Sequence, residues 1–268
     1  MKAAIGQYAV AADADTNAQI CLDFMMRANT EGADLLVLPE GVLARDIADP
    51  DLVRRAAQPL NGPFVSTLVA ASRNTAMTTM MTVHVPQVGD SNEHGGKAWN
   101  ILIAIRNGEI IARYKKIHLY DAFAMKESDN AAPGNEVPPL VDVAGMKVGL
   151  MTCYDVRFPE LARRLAVDGA DVLVLPSAWV KGPMKEAHWD VLCTARALEN
   201  TCYMVACGEC GPRNIGASMI IDPLGVAIAR AGETPTLLFA NLDQARIAQA
   251  RASLPSLANR RFAKPELA

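Results

Sequence analysis

The sequence predicts an α/β fold, an α-β-β-α sandwich of mixed sheets, on three observations. Apolar, β-branched runs alternate with amphipathic stretches, the pattern of strands covered by helices. Three turn signals between strand-like runs read as hairpins, which a purely parallel, doubly wound sheet would lack. GADLLVLP at 32–39 recurs as GADVLVLP at 169–176, as expected of two buried strands, each entered after a helix C-cap glycine and ended by proline. No linker interrupts the 268 residues, so one domain over 1–268 is expected.

In order along the chain, a strand is read at 2–9, a helix at 15–31, a strand at 34–38 and a helix at 63–74. The hairpins pair 101–105 with 109–113 around Asn107-Gly108, 140–143 with 147–151 around Ala144-Gly145, and 219–221 with 226–228 around 222–225. Residues 1–12 carry an apolar middle like a signal peptide's. Gly6 and Gln7 break it, however, and Asp13 and Asp15 follow at once, so the segment reads as the first strand of a cytoplasmic protein. The repeated strand suggests a pseudo-twofold arrangement whose two strand ends open onto one cleft, where α/β proteins place their sites. Glu40 follows the proline of the first copy and Ser177 that of the second.

Composition excludes several classes. There are 26 basic against 29 acidic side chains, a net charge of −3, and no Lys/Arg run exceeds two residues, so nucleic acid is not an expected partner. No apolar run reaches the roughly 18 to 20 residues of a membrane-spanning helix, so no membrane is expected either. Six cysteines are sparse for this length, which argues for reduced core filler rather than a disulfide scaffold.

Chemistry centres on Cys153, at a junction between a strand running to about Thr152 and a helix starting near Pro159. That placement resembles a nucleophile elbow, with backbone N–H groups nearby and a thiol pKa open to depression by a close cation. Glu40 emerges from an apolar strand, where desolvation would raise its carboxyl into a range useful for proton transfer. Lys115 and Lys116 lie in an extended segment whose side chains alternate, so only one faces a cleft.

Three stretches, LPE ending at Glu40, YKKIHL at 114–119 and CYDVRFPE at 153–160, together resemble the nitrilase superfamily of carbon–nitrogen hydrolases, and the similarity runs on to Asn259-Arg-Arg261. The resemblance implies Lys116 rather than Lys115, and adds Glu127 as a supporting carboxylate. In the chemistry it implies, Glu40 takes the thiol proton, Cys153 attacks an amide carbonyl to form a thioester, and Lys116 with the backbone N–H of Tyr154 holds the oxyanion. No cofactor or metal is implied, and a homodimer is.

Within the superfamily, LARD at 43–46, HLYDAFA at 118–124, PSAWVKGP at 176–183, His188-Trp189 and CYMVA at 202–206 resemble the branch acting on deaminated glutathione, cleaved to 2-oxoglutarate and cysteinylglycine. Arg157 occupies the position resembling a clamp for the 2-oxo-acid carboxylate, and reads equally as an ion pair with Asp155 or Glu160. Arg45 is a weaker candidate for the distal carboxylate, with a surface arginine as the alternative. Trp179 reads as acyl-pocket wall or as packing. Gly41-Val42-Leu43 stands where many relatives carry aromatics. Rival readings are an ω-amidase or stereoselective amidase, a catalytically silent binding module, and a dithiol protein using Cys207 and Cys210. That C-x-x-C pair lacks a second ligand pair for zinc. Among the histidines, His118 is expected to brace the lysine segment and His188 to do likewise beside the cleft, while His84 and His94 read as core or surface. Met77, Met80 and Met81 read as filler on one strand.

Overall fold

The computed structural model describes residues 1–87 and 96–268, and His94 lies outside the described residues. The chain runs β1 (Lys2–Gln7), α1 (Ala14–Thr30), β2 (Leu35–Val37), the short α2 (Leu52–Arg55), α3 (Pro63–Ala71), β3 (Thr78–Pro86), β4 (Ala98–Arg106) and β5 (Glu109–Lys115). Two-residue strands β6 (Asp121–Ala122), β7 (Met125–Lys126) and β8 (Ala131–Ala132) precede β9 (Leu140–Val143) and β10 (Met146–Leu150). A 3-10 turn over Cys153–Arg157 leads into α4 (Pro159–Val167), followed by β11 (Val172–Ser177), α5 (Lys185–Asn200) and β12 (Tyr203–Gly208). The chain closes with β13 (Met219–Ile221), β14 (Ala227–Arg230), β15 (Thr236–Asn241), α6 (Gln244–Ser253) and α7 (Ser256–Asn259).

Two mixed sheets form, ordered β15-β1-β2-β3-β4-β5, with β8 beside β4, and β14-β13-β12-β11-β10-β9. Alternation along each strand sorts the side chains. Ile5, Leu35, Val37 and Met80 pack between the sheets with the second sheet's strands, whereas Ala4, Leu36 and Met81 pack against Phe24 of α1 and Phe64 of α3. The second sheet's outer face is covered by Leu161 and Leu165 of α4 and Trp189 of α5. The layers therefore run α-β-β-α, as the alternating sequence predicts. Met80 fills the inter-sheet core and Met77 and Met81 the helix side, as filler should.

All three hairpins are present. Asn107 and Gly108 both take positive φ (51° and 81°) between paired Arg106 and Glu109, and Ala144 and Gly145 do the same (47° and 80°) between Val143 and Met146. That is the I′ geometry whose twist suits adjacent strands. The third hairpin pairs β13 with a β14 that starts one residue later than expected, across a register shift at Ile220/Ile221. Other bounds move slightly: β1 ends at Gln7, whose side chain turns to the carbonyls of Gly232 and Thr234, and α3 ends at Ala71. β10 stops at Leu150, three residues before Cys153.

The repeated motif builds equivalent strands. β2 lies between β1 and β3, and β11 between β10 and β12, each parallel to both neighbours. Their downstream ends meet, because the Ala178 N–H donates to Glu40 Oε2 at 2.9 Å. Among the described residues no helix is long and apolar enough to cross a membrane, and no cluster of three metal-ligating side chains occurs.

Gly134 holds the lysine segment in place. Its N–H donates to Lys116 O at 2.8 Å, and an added Cβ would sit 2.2 Å from the Lys115 carbonyl oxygen, which is backbone and cannot swing aside. Gly134→Ala is expected to cost about 1–3 kcal/mol by this overpacking, read as a lower denaturant midpoint; an unchanged midpoint would contradict it.

Candidate active site

Four strand ends converge on one point. Glu40 follows β2, Lys116 follows β5, Cys153 follows β10 and Ala178 follows β11. Glu40, Lys116 and Cys153 are all buried. Lys116 Nζ lies 2.9 Å from Glu40 Oε1 and 2.8 Å from Glu127 Oε2, and Cys153 lines the same cavity close enough for its thiol to feel the charge of the Glu40 carboxylate. Lys115 points the other way, exposed, with its Nζ 3.6 Å above the Trp99 ring. The alternation of an extended segment thus sends one lysine inward and one outward.

Glu127 opens a short 3-10 turn, where its Oε2 also accepts the Tyr120 N–H at 2.7 Å. Asn100, on β4, is the residue that sequence reasoning missed here. Its amide donates to Glu40 Oε1 at 2.8 Å and to Glu127 Oε1 at 3.3 Å, so the two carboxylates are tied together by Asn100 as well as by Lys116. A lone buried asparagine in a strand carries no sequence signal for such a bridge.

Cys153 adopts φ 44°, a left-handed conformation that a non-glycine residue holds only when its surroundings demand it. The demand comes from Asp155, which is fully buried. Its carboxylate accepts the Thr152 N–H at 2.8 Å, the Tyr114 hydroxyl at 2.8 Å and the His118 N–H at 3.3 Å, and meets His118 Nδ1 at 2.7 Å. The His118 ring in turn stacks on Phe158 at 3.7 Å. His118 therefore braces the lysine segment, through the turn that carries the thiol. His188 makes no comparable brace, because its Nδ1 has no hydrogen-bond partner and its ring leans toward Phe123.

Charge inverts two expectations. Burial alone would raise the Glu40 carboxyl, but the Lys116 ammonium and the Arg45 guanidinium outweigh it and hold the group at about 2. The Cys153 thiol is pushed well up, first by burial and then by the Glu40 carboxylate, against the pull of Lys116. At rest, then, the thiol keeps its proton and the Glu40 carboxylate is ionised. Burial opposes the charge on Lys116 too, yet Glu127 and Glu40 together keep it protonated.

These groups line a cavity of about 560 Å³, a size common among small-molecule sites. Trp179 is both wall and packing: it lines the cavity, sits 5.4 Å from Trp189, and donates its indole N–H to Lys185 O. Arg157 makes neither of the ion pairs expected of it. Asp155 is taken up by the bonds above, and the guanidinium instead lies 4.7 Å from the Trp179 ring centroid, with Nε and Nη2 buried and without hydrogen-bond partners. Arg45 is not a surface arginine. It is half-buried, lines the cavity and pairs with Glu209 at 3.4 Å. Gly41 (φ 69°) permits this, since a Cβ there would come within 2.5 Å of the Arg45 side chain. His84 also lines the cavity, and burial followed by the Arg45 charge lowers it to about 3, so it stays neutral. Cys207 and Cys210 are free and buried.

The family model described as carbon-nitrogen hydrolase matches residues 2–252. The chain is 54% identical over 267 residues to the deaminated glutathione amidase of Escherichia coli, covering 100% of both chains. Among solved structures, it resembles a Saccharomyces cerevisiae member of branch 10 of the nitrilase superfamily at TM-score 0.84, with 27% identity over 98% of this chain and 97% of that one. It also resembles a variant of the Nesterenkonia amidase showing covalent addition of the acetamide moiety of fluoroacetamide at the active site cysteine. There the TM-score is 0.81, with 26% identity over 97% of this chain and 94% of that one.

Glu209 gives a pH signature. Burial, only partly offset by Arg45, lifts its carboxyl from 4.5 to about 7. Between those values the folded state holds a proton that the unfolded chain has released, so stability falls as pH rises through that window. Relative to Glu209→Gln, the native protein is expected to lose about 3 kcal/mol across it, read from denaturant midpoints at each pH; a difference that stays flat or grows toward acid would contradict this.

Proposed function

This chain belongs to the carbon–nitrogen hydrolase family, and we propose that it hydrolyses a small linear amide through a thioester on Cys153, with deaminated glutathione as substrate and 2-oxoglutarate and cysteinylglycine as products. The observation that carries the reading is Lys116 held between Glu40 and Glu127 at 2.9 and 2.8 Å on the cavity that Cys153 lines.

In this reading Glu40 accepts the thiol proton as the sulfur attacks the carbonyl carbon. The oxygen, gaining charge, is met by the Lys116 ammonium and the Tyr154 N–H at the head of the 3-10 turn, where backbone donors have no partner within the turn. Lys116 needs no proton transfer to do this, because its two carboxylates already keep it charged. Glu40, now protonated, gives its proton to the leaving amine and then takes one from the water that hydrolyses the thioester. Glu127 acts through Lys116, holding the ammonium in place when Glu40 becomes neutral. Arg157, with unpaired N–H groups, suits the 2-oxo-acid carboxylate, and Trp179 the acyl chain between them. The substrate choice is supported by the Escherichia coli relative's name.

The same reading includes a cytoplasmic homodimer. It is supported by the six free, buried cysteines and by exposed Val191 and Leu198 on α5 and Ile228 on β14.

Intact mass after brief mixing with deaminated glutathione is expected to reveal a 2-oxoglutaryl adduct that vanishes in Cys153→Ala. Lys116→Ala is expected to lose about two or more decades of rate with the thiol intact. Release of ammonia from 2-oxoglutaramate without cysteinylglycine from deaminated glutathione would move the assignment to an ω-amidase. No adduct with either amide would end it.

A further inference from the structure

Lys185 has no place in the reading above, yet it is built into the same cavity. It opens α5 directly after Met184, which takes a left-handed φ of 59°. Its backbone is fixed at both ends, the N–H donating to Gly182 O and the carbonyl accepting the Trp179 indole. The side chain is buried, its Nζ bonded to the Tyr120 hydroxyl and lying 4.2 Å from the Phe123 ring centroid and 5.4 Å from that of Trp179. The Arg157 guanidinium faces the same two rings, at 5.8 and 4.7 Å. Two cations thus share one aromatic cluster.

Among the described residues, neither cation has a carboxylate partner within ion-pair distance. Every other cation near the reaction centre does: Lys116 has two, and Arg45 has Glu209. A buried charge ordinarily finds a counter-charge, and two like charges facing one another raise the cost of leaving them bare. Burial and the Arg157 charge accordingly pull the Lys185 ammonium downward. The cluster also offers unfilled donors, since Nε and Nη2 of Arg157 are buried without hydrogen-bond partners. Trp179 is buried whereas Phe123 is exposed, so the two cations are reached from the Phe123 side.

We propose that Lys185 is a specificity-determining residue, which with Arg157 completes a two-cation receptor for the carboxylate on the acyl side of the substrate. The proposal rests on the amidase reading above and goes beyond it in the residue and in what that residue selects. Arg157 supplies the planar fork and Lys185 a point charge held by Tyr120, so the pair selects acyl groups that end in a carboxylate over neutral ones of equal length.

The test compares two amides differing only at that end, the γ-N-methylamide of 2-oxoglutarate and the N-methylamide of 4-oxopentanoate, in which a methyl group replaces the carboxylate. For Lys185→Met, kcat/KM on the anionic amide is expected to fall about 100-fold, chiefly through KM. On the neutral amide it stays within about twofold, which also shows that the variant folds, and Lys185→Arg restores most of the loss. Equal losses on both amides, or no loss on the anionic one, would overturn the role of Lys185 while leaving the amidase reading intact. Inactivity of the native protein on both amides would remove that reading and this proposal together.

Discussion

The molecule is organised around one buried ammonium between two carboxylates. Lys116 is removed from water almost completely, and that is tolerable only because Glu40 and Glu127 lie 2.9 and 2.8 Å from it. Everything else in the site follows from this cluster. The ammonium holds Glu40 ionised despite its burial, the ionised Glu40 keeps the neighbouring thiol protonated, and the pair is therefore poised with its proton on sulfur and its base ready. In the proposed reaction, attack moves one proton from sulfur to the carboxylate while negative charge passes to the substrate oxygen. Lys116 faces both positions, so the field of one fixed cation serves the start and the end of the step.

The cluster depends on segments far apart in sequence, and the fold brings them to one register by unlike means. Parallel β2 and β11 deliver Glu40 and Ala178 as equivalent strand ends, joined by a hydrogen bond. The β5 extension delivers Lys116, and Gly134, lacking a Cβ, packs close enough against it to donate its N–H to the Lys116 carbonyl. Asp155 collects bonds from Thr152 just before Cys153, from Tyr114 and from His118, so the turn bearing Cys153 and the segment bearing Lys116 are tied together. The left-handed conformation of Cys153 is the local strain that this over-determined network maintains.

Much of this was legible in the sequence, and the remainder was hidden for identifiable reasons. Periodicity and turn chemistry are local, so the hairpins at Asn107-Gly108 and Ala144-Gly145 and the order of layers could be read directly. The repeated strand foretold two ends on one cleft. Glu40, Cys153 and the choice between two lysines were visible as residues at strand ends, the choice itself through resemblance, as was Glu127. The direction of the Glu40 shift is opposite to the one burial alone implies, because burial of Glu40 follows from its apolar strand whereas the nearness of Lys116 and Arg45 is a tertiary fact. Asn100, Lys185 and Glu209 carry no local signal at all. Each acquires meaning only from the charge or ring placed opposite it.

At the centre of the chemistry stands a resting thiol that keeps its proton beside an ionised Glu40. The most direct test is the ultraviolet absorbance of thiolate, measured for the native protein against Cys153→Ala as pH is raised. No thiolate step is expected between pH of about 5 and about 9, a range that spans the ordinary thiol value. A step below about pH 7, assigned to Cys153 by its absence from the variant, would show a resting thiolate beside a protonated carboxyl and contradict it.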